Sequence, residues 1–308
     1  MFLKSLSMAL PSVIMAIGMV PLVVIMLWWQ RSVRHQQRQS PLVRELLRSP
    51  GHSLREKVDG LESDVEGRLF ITLFMPLMMY AMHISLSHFG QDPESTTRTL
   101  TSVLIATVAI GWMARPLPRL LLERRRCVLG LEGELAVAEE LNQLMLDGCR
   151  VFHDVPIKYG NVDHVVISPS GVYAVNTKMR GKPAGQRSAA EVRIDHEKNL
   201  MTFPDGAFPI PTEKLQMEAR CLSEYLTSAV GETVAVEAML ALPGWFIKDR
   251  VGRGPVFVFN PLKPQRFFLQ NRHRNSHEMI QRIAHQIEQL CRDVKPSFRR
   301  DKAWAEKT

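Results

Sequence analysis

The chain has 308 residues, is 45% hydrophobic and 23% charged, and carries a formal net charge of +8. That is long enough for one or two domains with a real core, and the mild positive excess suits an acidic polymer or an anionic membrane surface without choosing between them. The four cysteines (Cys127, Cys149, Cys221 and Cys291) include no CxxC pair, which excludes a zinc ribbon and a disulfide framework and leaves reduced cytosolic thiols as the expectation.

Residues 1–114 are a different material from the rest. Ser5 to Trp29 is uncharged and mostly apolar, longer than the roughly 20 residues that cross a bilayer core and too long for the apolar part of a cleaved leader. It ends in Trp28-Trp29, where interfacial aromatic residues belong, and then in Arg31, Arg34 and Arg38. A second uncharged run covers Leu69 to Gln91. A third, Thr99 to Ala114, is short and relies on Arg98 and Arg115 reaching back to the interface. The expectation is a helical transmembrane region over residues 1–114, with helices at 8–29, 69–90 and 99–114 and a cytoplasmic loop at 30–68.

Orientation follows from the loops. Residues 30–68 hold eight Arg/Lys, and Arg115, Arg119 and Arg124 to Arg126 follow the third run, whereas FGQDPESTTR sets Asp92 and Glu94 against one Arg. The positive-inside rule then predicts a multi-pass protein of the inner (cytoplasmic) membrane, N-terminus outside, with everything after residue 115 in the cytoplasm. His83 and His88, with no acidic partner in their run, read as interfacial residues rather than transport groups.

LERRRCVLGLEGELAVAEELNQLML begins a helix near Arg125, and Leu131, Leu135, Ala138, Leu141 and Met145 form its core-facing stripe. Glu134 sits on that stripe, while Glu132, Glu139 and Glu140 are better placed for water. A carboxylate on a buried face is costly unless paired or metal-bound. Glu134 is therefore either a ligand or a partly exposed flank residue. Gly133 beside it permits close approach of a strand or a ligand.

In CRVFHDVPIKYGNVDHVVISPSGVYAVNTK, Val151 to Val155 reads as a short strand, IKYGN as a turn, and a hairpin follows. Its loop is Ser168-Pro169-Ser170-Gly171, with Pro second and Gly last as a type I turn prefers. That loop pairs Ile167 with Val172 and sets Asp163 opposite Asn176, with Cβ atoms about 5 Å apart on one face. Period-2 alternation adds Lys178 to that face and turns Tyr173, Val175 and His164 to the other. Taken alone, the hairpin reads first as a polar sheet edge with incidental Asp and Lys. As a site, it suits phosphodiester hydrolysis. Mg²⁺ (or Mn²⁺) takes one or two carboxylates, keeps waters and accepts a phosphate oxygen, while a lysine offsets charge at the phosphate. Glu134 and Asp163 are the candidate carboxylate ligands, with the Asn176 side chain and the Thr177 backbone as carbonyl donors.

The ordered blocks GLEGELAVAEEL, VFHDV and NVDHVVISPSGVYAVNTK resemble the nuclease-related domain (NERD), a branch of the PD-(D/E)XK restriction-endonuclease-like superfamily. The resemblance covers roughly residues 127–230. It implies an α/β restriction-endonuclease-like core, a mixed sheet flanked by helices, with Glu134, Asp163 and Lys178 as catalytic residues. It also implies a polar residue on a later helix, which Gln216 in PTEKLQMEARCLSEYL matches, ahead of a core stripe of Leu215, Ala219, Leu222 and Leu226. The departure is Asn176, where the family pattern has Glu-x-Lys and this chain has Asn176-Thr177-Lys178. One negative charge is missing, with Glu191 and Glu132 as possible replacements.

Beyond the site, EVRIDHEKNLMTFPDG reads as a strand pair, and VAVEAMLALPGW and GPVFVFN as buried strands. SHEMIQRIAHQIEQLCRDV is a closing helix with Ser276 as N-cap and Ile280, Ile283, Ile287 and Leu290 in register. NRHRN is a solvated basic loop or a phosphate contact. His153, His164 and His196 lack zinc-type spacing. The nuclease-like domain is expected at 120–294, with a flexible basic tail at 295–308. The leading expectation is a membrane-anchored, cytoplasmic, metal-dependent nuclease acting on DNA. The rivals are a tethered nucleic-acid-binding or scaffold module with a weakened site, and a membrane sensor that binds a protein.

Overall fold

The computed structural model describes residues 24–25, 27–29, 42–89, 96–182, 190–269 and 275–296. Most of the expected helix at 8–29, the first part of the 30–68 loop, nearly all of NRHRN and the tail from residue 297 lie outside these. The chain divides into two compact units. One is built on Leu61–Leu122, and the other joins Arg44–Gly60 to Glu123–Lys295.

Helix α1 spans His52–Phe89 with Pro76 inside it, so the segment expected as a loop at 30–68 is helical from residue 52 onward. Helix α2 covers Thr96–Ala114, and after a turn at Arg115-Pro116 helix α3 runs Leu117–Asn142, starting earlier than expected. Leu69, Phe70, Leu73, Leu77 and Tyr80 of α1 are exposed, as are Leu100, Val103, Leu104, Ile105, Val108 and Trp112 of α2. Among the described residues one helical run, Thr99–Asp147, is long and apolar enough to cross a bilayer by length and composition.

In the second unit, the predicted strand, turn and hairpin are all present. Strands β2 (Arg150–Ile157), β3 (Gly160–Ser168) and β4 (Gly171–Thr177) pair antiparallel in sequence order. Ile167 pairs with Val172, and the ladder ends at His164 with Val175, so Asp163 and Asn176 stand at the next position. Beyond β4 the sheet continues in parallel through β8 (Val236–Ala241) to β10 (Val256–Phe259). The result is a five-stranded mixed sheet.

Each face of this sheet is covered because the helices carry one apolar stripe apiece. Helices α4 (Thr212–Val230) and α5 (His277–Cys291) bury Leu215, Ala219, Leu222 and Leu226, and Ile280, Ile283 and Ile287, in one core with Val165, Ile167, Val172 and Ala174. The Ser276 hydroxyl caps α5, accepting from the Met279 N–H at 3.2 Å. On the other face, Val137, Leu141 and Leu144 pack with Tyr173, Val175, Phe259 and Phe268. Here the stripe differs from expectation. Residues Gln143–Asp147 tighten into a 3₁₀ turn, which buries Leu144 and leaves Met145 exposed.

A second, four-stranded sheet contains the predicted pair β5 (Glu191–Asp195) and β6 (Leu200–Phe203), extended by β7 (Gly206–Pro209) and β9 (Phe246–Val251). Neither added strand has a fully buried residue, and β7 is only four residues long, so neither carries a run of apolar alternation that would reveal it.

An upstream segment completes the unit. Strand β1 (Leu46–Leu47) pairs antiparallel with β11 (Arg292–Val294), and the Arg48 N–H donates to the Cys291 carbonyl at 3.0 Å. The Arg48 guanidinium donates to both carboxylate oxygens of Asp293, at 2.9 and 2.7 Å, and to Asp154 Oδ2 at 3.0 Å. Asp154 is fully buried and also accepts from the Ser53 hydroxyl and the Asn161 amide. Removing one partner of a buried ion pair leaves an uncompensated charge, at a cost of about 3–5 kcal/mol. Arg48 keeps some solvent contact, so Arg48→Ala should cost about 3 kcal/mol, at the low end of that range. Denaturant unfolding of the full chain checks this, and a loss indistinguishable from that of an exposed arginine would refute it.

Candidate active site

The site is assembled where α3 crosses the ends of β3 and β4. Gly133 allows the crossing: a Cβ there would lie 2.5 Å from Met179 Cβ and 3.4 Å from Thr177 Cγ2. The neighbouring Glu134 is buried at 7% exposure, so it is a core-facing group and not a flank residue. Its Oε2 has no hydrogen-bond partner among the described residues. On its other side the backbone of the upstream segment closes in, since a Cβ on Gly51 would stand 3.5 Å from Glu134 Oε2.

Asp163 is fixed by the backbone, with the Thr177 N–H donating to its Oδ2 at 2.6 Å. Asn176 is buried, and its amide nitrogen donates to Glu218 Oε2 at 3.0 Å. Glu218 comes from α4, is 1% exposed, and pairs with Lys214 at 3.5 Å one helical turn earlier. Lys178 lies just past the end of β4, exposed, with its N–H held by the Ala241 carbonyl at 2.9 Å.

Behind Thr177 runs a short polar chain. His164 Nε2 is 3.2 Å from Thr177 Oγ1, the two Nδ1 atoms of His164 and His153 are 2.9 Å apart, and His153 Nε2 is 3.0 Å from Asn142 Oδ1. One set of tautomers satisfies every link. His153 donates to Asn142, His164 donates to His153, and the Thr177 hydroxyl donates to His164. Burial pushes both imidazoles down, His153 to about 4, so the pair stays neutral and holds Thr177 in place.

The carboxylates feel one another. Burial is the largest cause raising Glu134 out of the ordinary range, and the charges of Asp163 and then Asp154 add to it. Burial likewise raises Asp163 against the Thr177 N–H, which favours its ionised form, with Glu218 raising it further and Lys214 opposing. Glu218 is itself raised, chiefly by burial.

The structure thus brings together Glu134, Asp163, Asn176 and Thr177. Gln216 is elsewhere on α4. Two residues from Glu218 is about 200° around a helix, and Gln216 lines a cleft with Tyr173, Arg220 and Glu237 instead. Glu132 is exposed and Glu191 is tied to Lys248 at 2.7 Å, so neither fills the place beside Asn176. Glu218 does. The sequence carried its signal, an acidic residue three after Leu215 and four before Leu222 on the buried stripe.

These donors fit a hard cation. The orphaned, buried Oε2 of Glu134 and the carboxylate of Asp163 are the one or two charged oxygens that Mg²⁺ takes while keeping its waters. Among the described residues no three His, Cys, Asp or Glu side chains gather into a ligand set as they stand.

Residues 129–243 match the family model described as the nuclease-related domain, which carries a nuclease-related function, and the mixed α/β unit is consistent with a nuclease-like core. No curated protein and no solved structure matches the chain.

Two outcomes follow. A raised carboxyl keeps its proton in the folded chain when the unfolded chain has released it, so its stabilisation is present below about pH 4 and is lost as pH rises through the raised value. In chelator, Glu134→Gln should therefore flatten the decline of Tm with rising pH and exceed wild type in alkaline buffer. An unchanged slope would rule this out. Gly133→Ala should destabilise by about 1–3 kcal/mol through overpacking against Met179, which thermal unfolding reads directly.

Proposed function

We propose that the chain is a membrane-anchored nuclease that hydrolyses phosphodiester bonds of DNA, with a divalent cation, Mg²⁺ or Mn²⁺, held by Glu134 and Asp163. The observation that carries it is the unpartnered, buried Glu134 Oε2 beside Asp163. Such an arrangement is expensive in a merely structural role. When bound, the cation would polarise the phosphoryl group and acidify a water.

The remaining parts follow from the chain's own residues. The Thr177 N–H aims Asp163 and opposes the burial that raises it, and the neutral histidine pair keeps Thr177 from turning. Lys178, exposed and without an ion-pair partner among the described residues, is placed to meet a phosphate oxygen as a point charge. The charge that Asn176 lacks on β4 is supplied from α4 by Glu218, 3.0 Å from the Asn176 amide.

The anchoring part rests on the exposed apolar side chains of α1 and α2, which a bilayer would cover, and on the arginines that flank their apolar runs. The arrangement proposed is multi-pass in an inner membrane, with the part after residue 115 on the cytoplasmic side. One observation favours a second reading, a tethered nucleic-acid-binding module. It is the lack of a ready-made acidic triad among the described residues.

Mg²⁺- and Mn²⁺-dependent cleavage of linear DNA by the full chain in detergent separates them, with Mn²⁺ affinity measured alongside. Asp163→Ala should abolish both cleavage and metal binding. Glu218→Gln should reduce cleavage by about 10-fold or more, and adding Asn176→Glu to it should restore part of the loss, since the charge returns on β4. Cleavage undiminished in Asp163→Ala would sink the nuclease reading. Salt-sensitive DNA binding with no cleavage would favour the binding module.

A further inference from the structure

Within the unit built on Leu61–Leu122, a cleft of about 430 Å³ is lined by three arginines, Arg68, Arg115 and Arg119, together with Ile71, Trp112 and Met113. No aspartate or glutamate lines it. Like charges gathered in one cleft repel, and none of the three guanidinium groups has a hydrogen-bond or ion-pair partner among the described residues. The cleft also receives the start of α3, whose first turn holds Arg119 and whose dipole adds positive potential.

Its position along the sequence is specific. Arg68 directly precedes the apolar run that begins at Leu69, and Arg115 directly follows Ala114 at the end of α2. The arginines therefore mark the same end of two antiparallel apolar stretches, the end at which the positive-inside rule sets the cytoplasmic interface. Trp112 stands one residue row deeper and is 76% exposed, as an interfacial indole would be. Cationic groups at the rim and apolar side chains below them match a ligand with an anionic head and a hydrocarbon body. Nucleic acid would satisfy the arginines but leave Ile71, Trp112 and Met113 against water and sugar.

We propose that this cleft binds the phosphate headgroup of an anionic phospholipid, with Arg68, Arg115 and Arg119 on the phosphate and Trp112, Ile71 and Met113 against the glycerol and first acyl carbons. Guanidinium groups suit the task, since each offers a planar fork of donors to phosphate oxygens. The inference rests on the membrane reading above and is independent of whether the acidic cluster cuts DNA.

The test uses the full chain in neutral detergent, comparing wild type with Arg68→Gln/Arg115→Gln/Arg119→Gln. Tm is measured with phosphatidylglycerol, phosphatidylcholine, inorganic phosphate and a short DNA duplex added separately. Phosphatidylglycerol should raise the wild-type Tm by about 5 °C or more at saturation, with most of the rise lost in the triple variant and none given by phosphatidylcholine. If the triple variant fails to fold, native mass spectrometry of the three single variants counts retained phosphatidylglycerol, and each should retain less than wild type. Full protection in the triple variant overturns the proposal. So does equal protection by inorganic phosphate, which would identify a free anion as ligand, or protection by DNA alone. Alkaline carbonate extraction of the expressing membranes separates the two levels. Release of the chain refutes the membrane reading itself, whereas retention without lipid protection refutes only the cleft.

Discussion

Four carboxylates, Glu134, Asp154, Asp163 and Glu218, share a low-dielectric region at one end of a five-stranded sheet, and nearby structure compensates three of them. Asp154 is neutralised by Arg48 and saturated by Ser53 and Asn161. Glu218 has Lys214 and the Asn176 amide. Asp163 has the Thr177 N–H, which in turn depends on two histidines held neutral by their own burial. Of the four, Glu134 alone has a fully buried oxygen with no donor among the described residues. In the proposed reading, that asymmetry marks it as the group whose compensation would come from a ligand rather than from the fold.

Asn176 is better understood in this company. Another carboxylate at that position would face Glu218 across 3 Å of buried space, with no donor between them. An amide, by contrast, can donate. Asn176 on β4 and the acidic residue on α4 are therefore one arrangement, with the charge on the helix and the strand amide as its hydrogen-bond partner.

Much of this was legible in local pattern. The Ser-Pro-Ser-Gly turn set the hairpin register, Gly133 signalled the tight crossing of α3, and the stripes of α4 and α5 fell where helical spacing put them. Each is a property of neighbours within a few residues. Glu218 was half-legible, an acidic residue on an apolar stripe, but its partner lies 42 positions away, and Gln216 two residues earlier fits the polar position that the resemblance implies. Arg48 and Asp154 were not legible at all. They meet across 106 residues, and nothing in either local sequence names the other. The shift from Met145 to Leu144 has a similar origin, because a 3₁₀ turn at the end of a helix is decided by how the chain must enter the next strand.

The pairing of Leu46–Leu47 with Arg292–Val294 has a consequence for how the protein is made. Strand β1 leaves the ribosome long before its partner, and the whole of the Leu61–Leu122 unit is synthesised in between. Arg48 cannot reach Asp154 until residue 154 emerges, and β1 cannot close on β11 until Arg292–Val294 do. Contacts of such long sequence separation form late and slowly. Arg48 must therefore pass a long interval before the acidic region beside β3 and β4 exists to receive it. Translation order thus delays completion of the unit until Arg292–Val294 have been delivered.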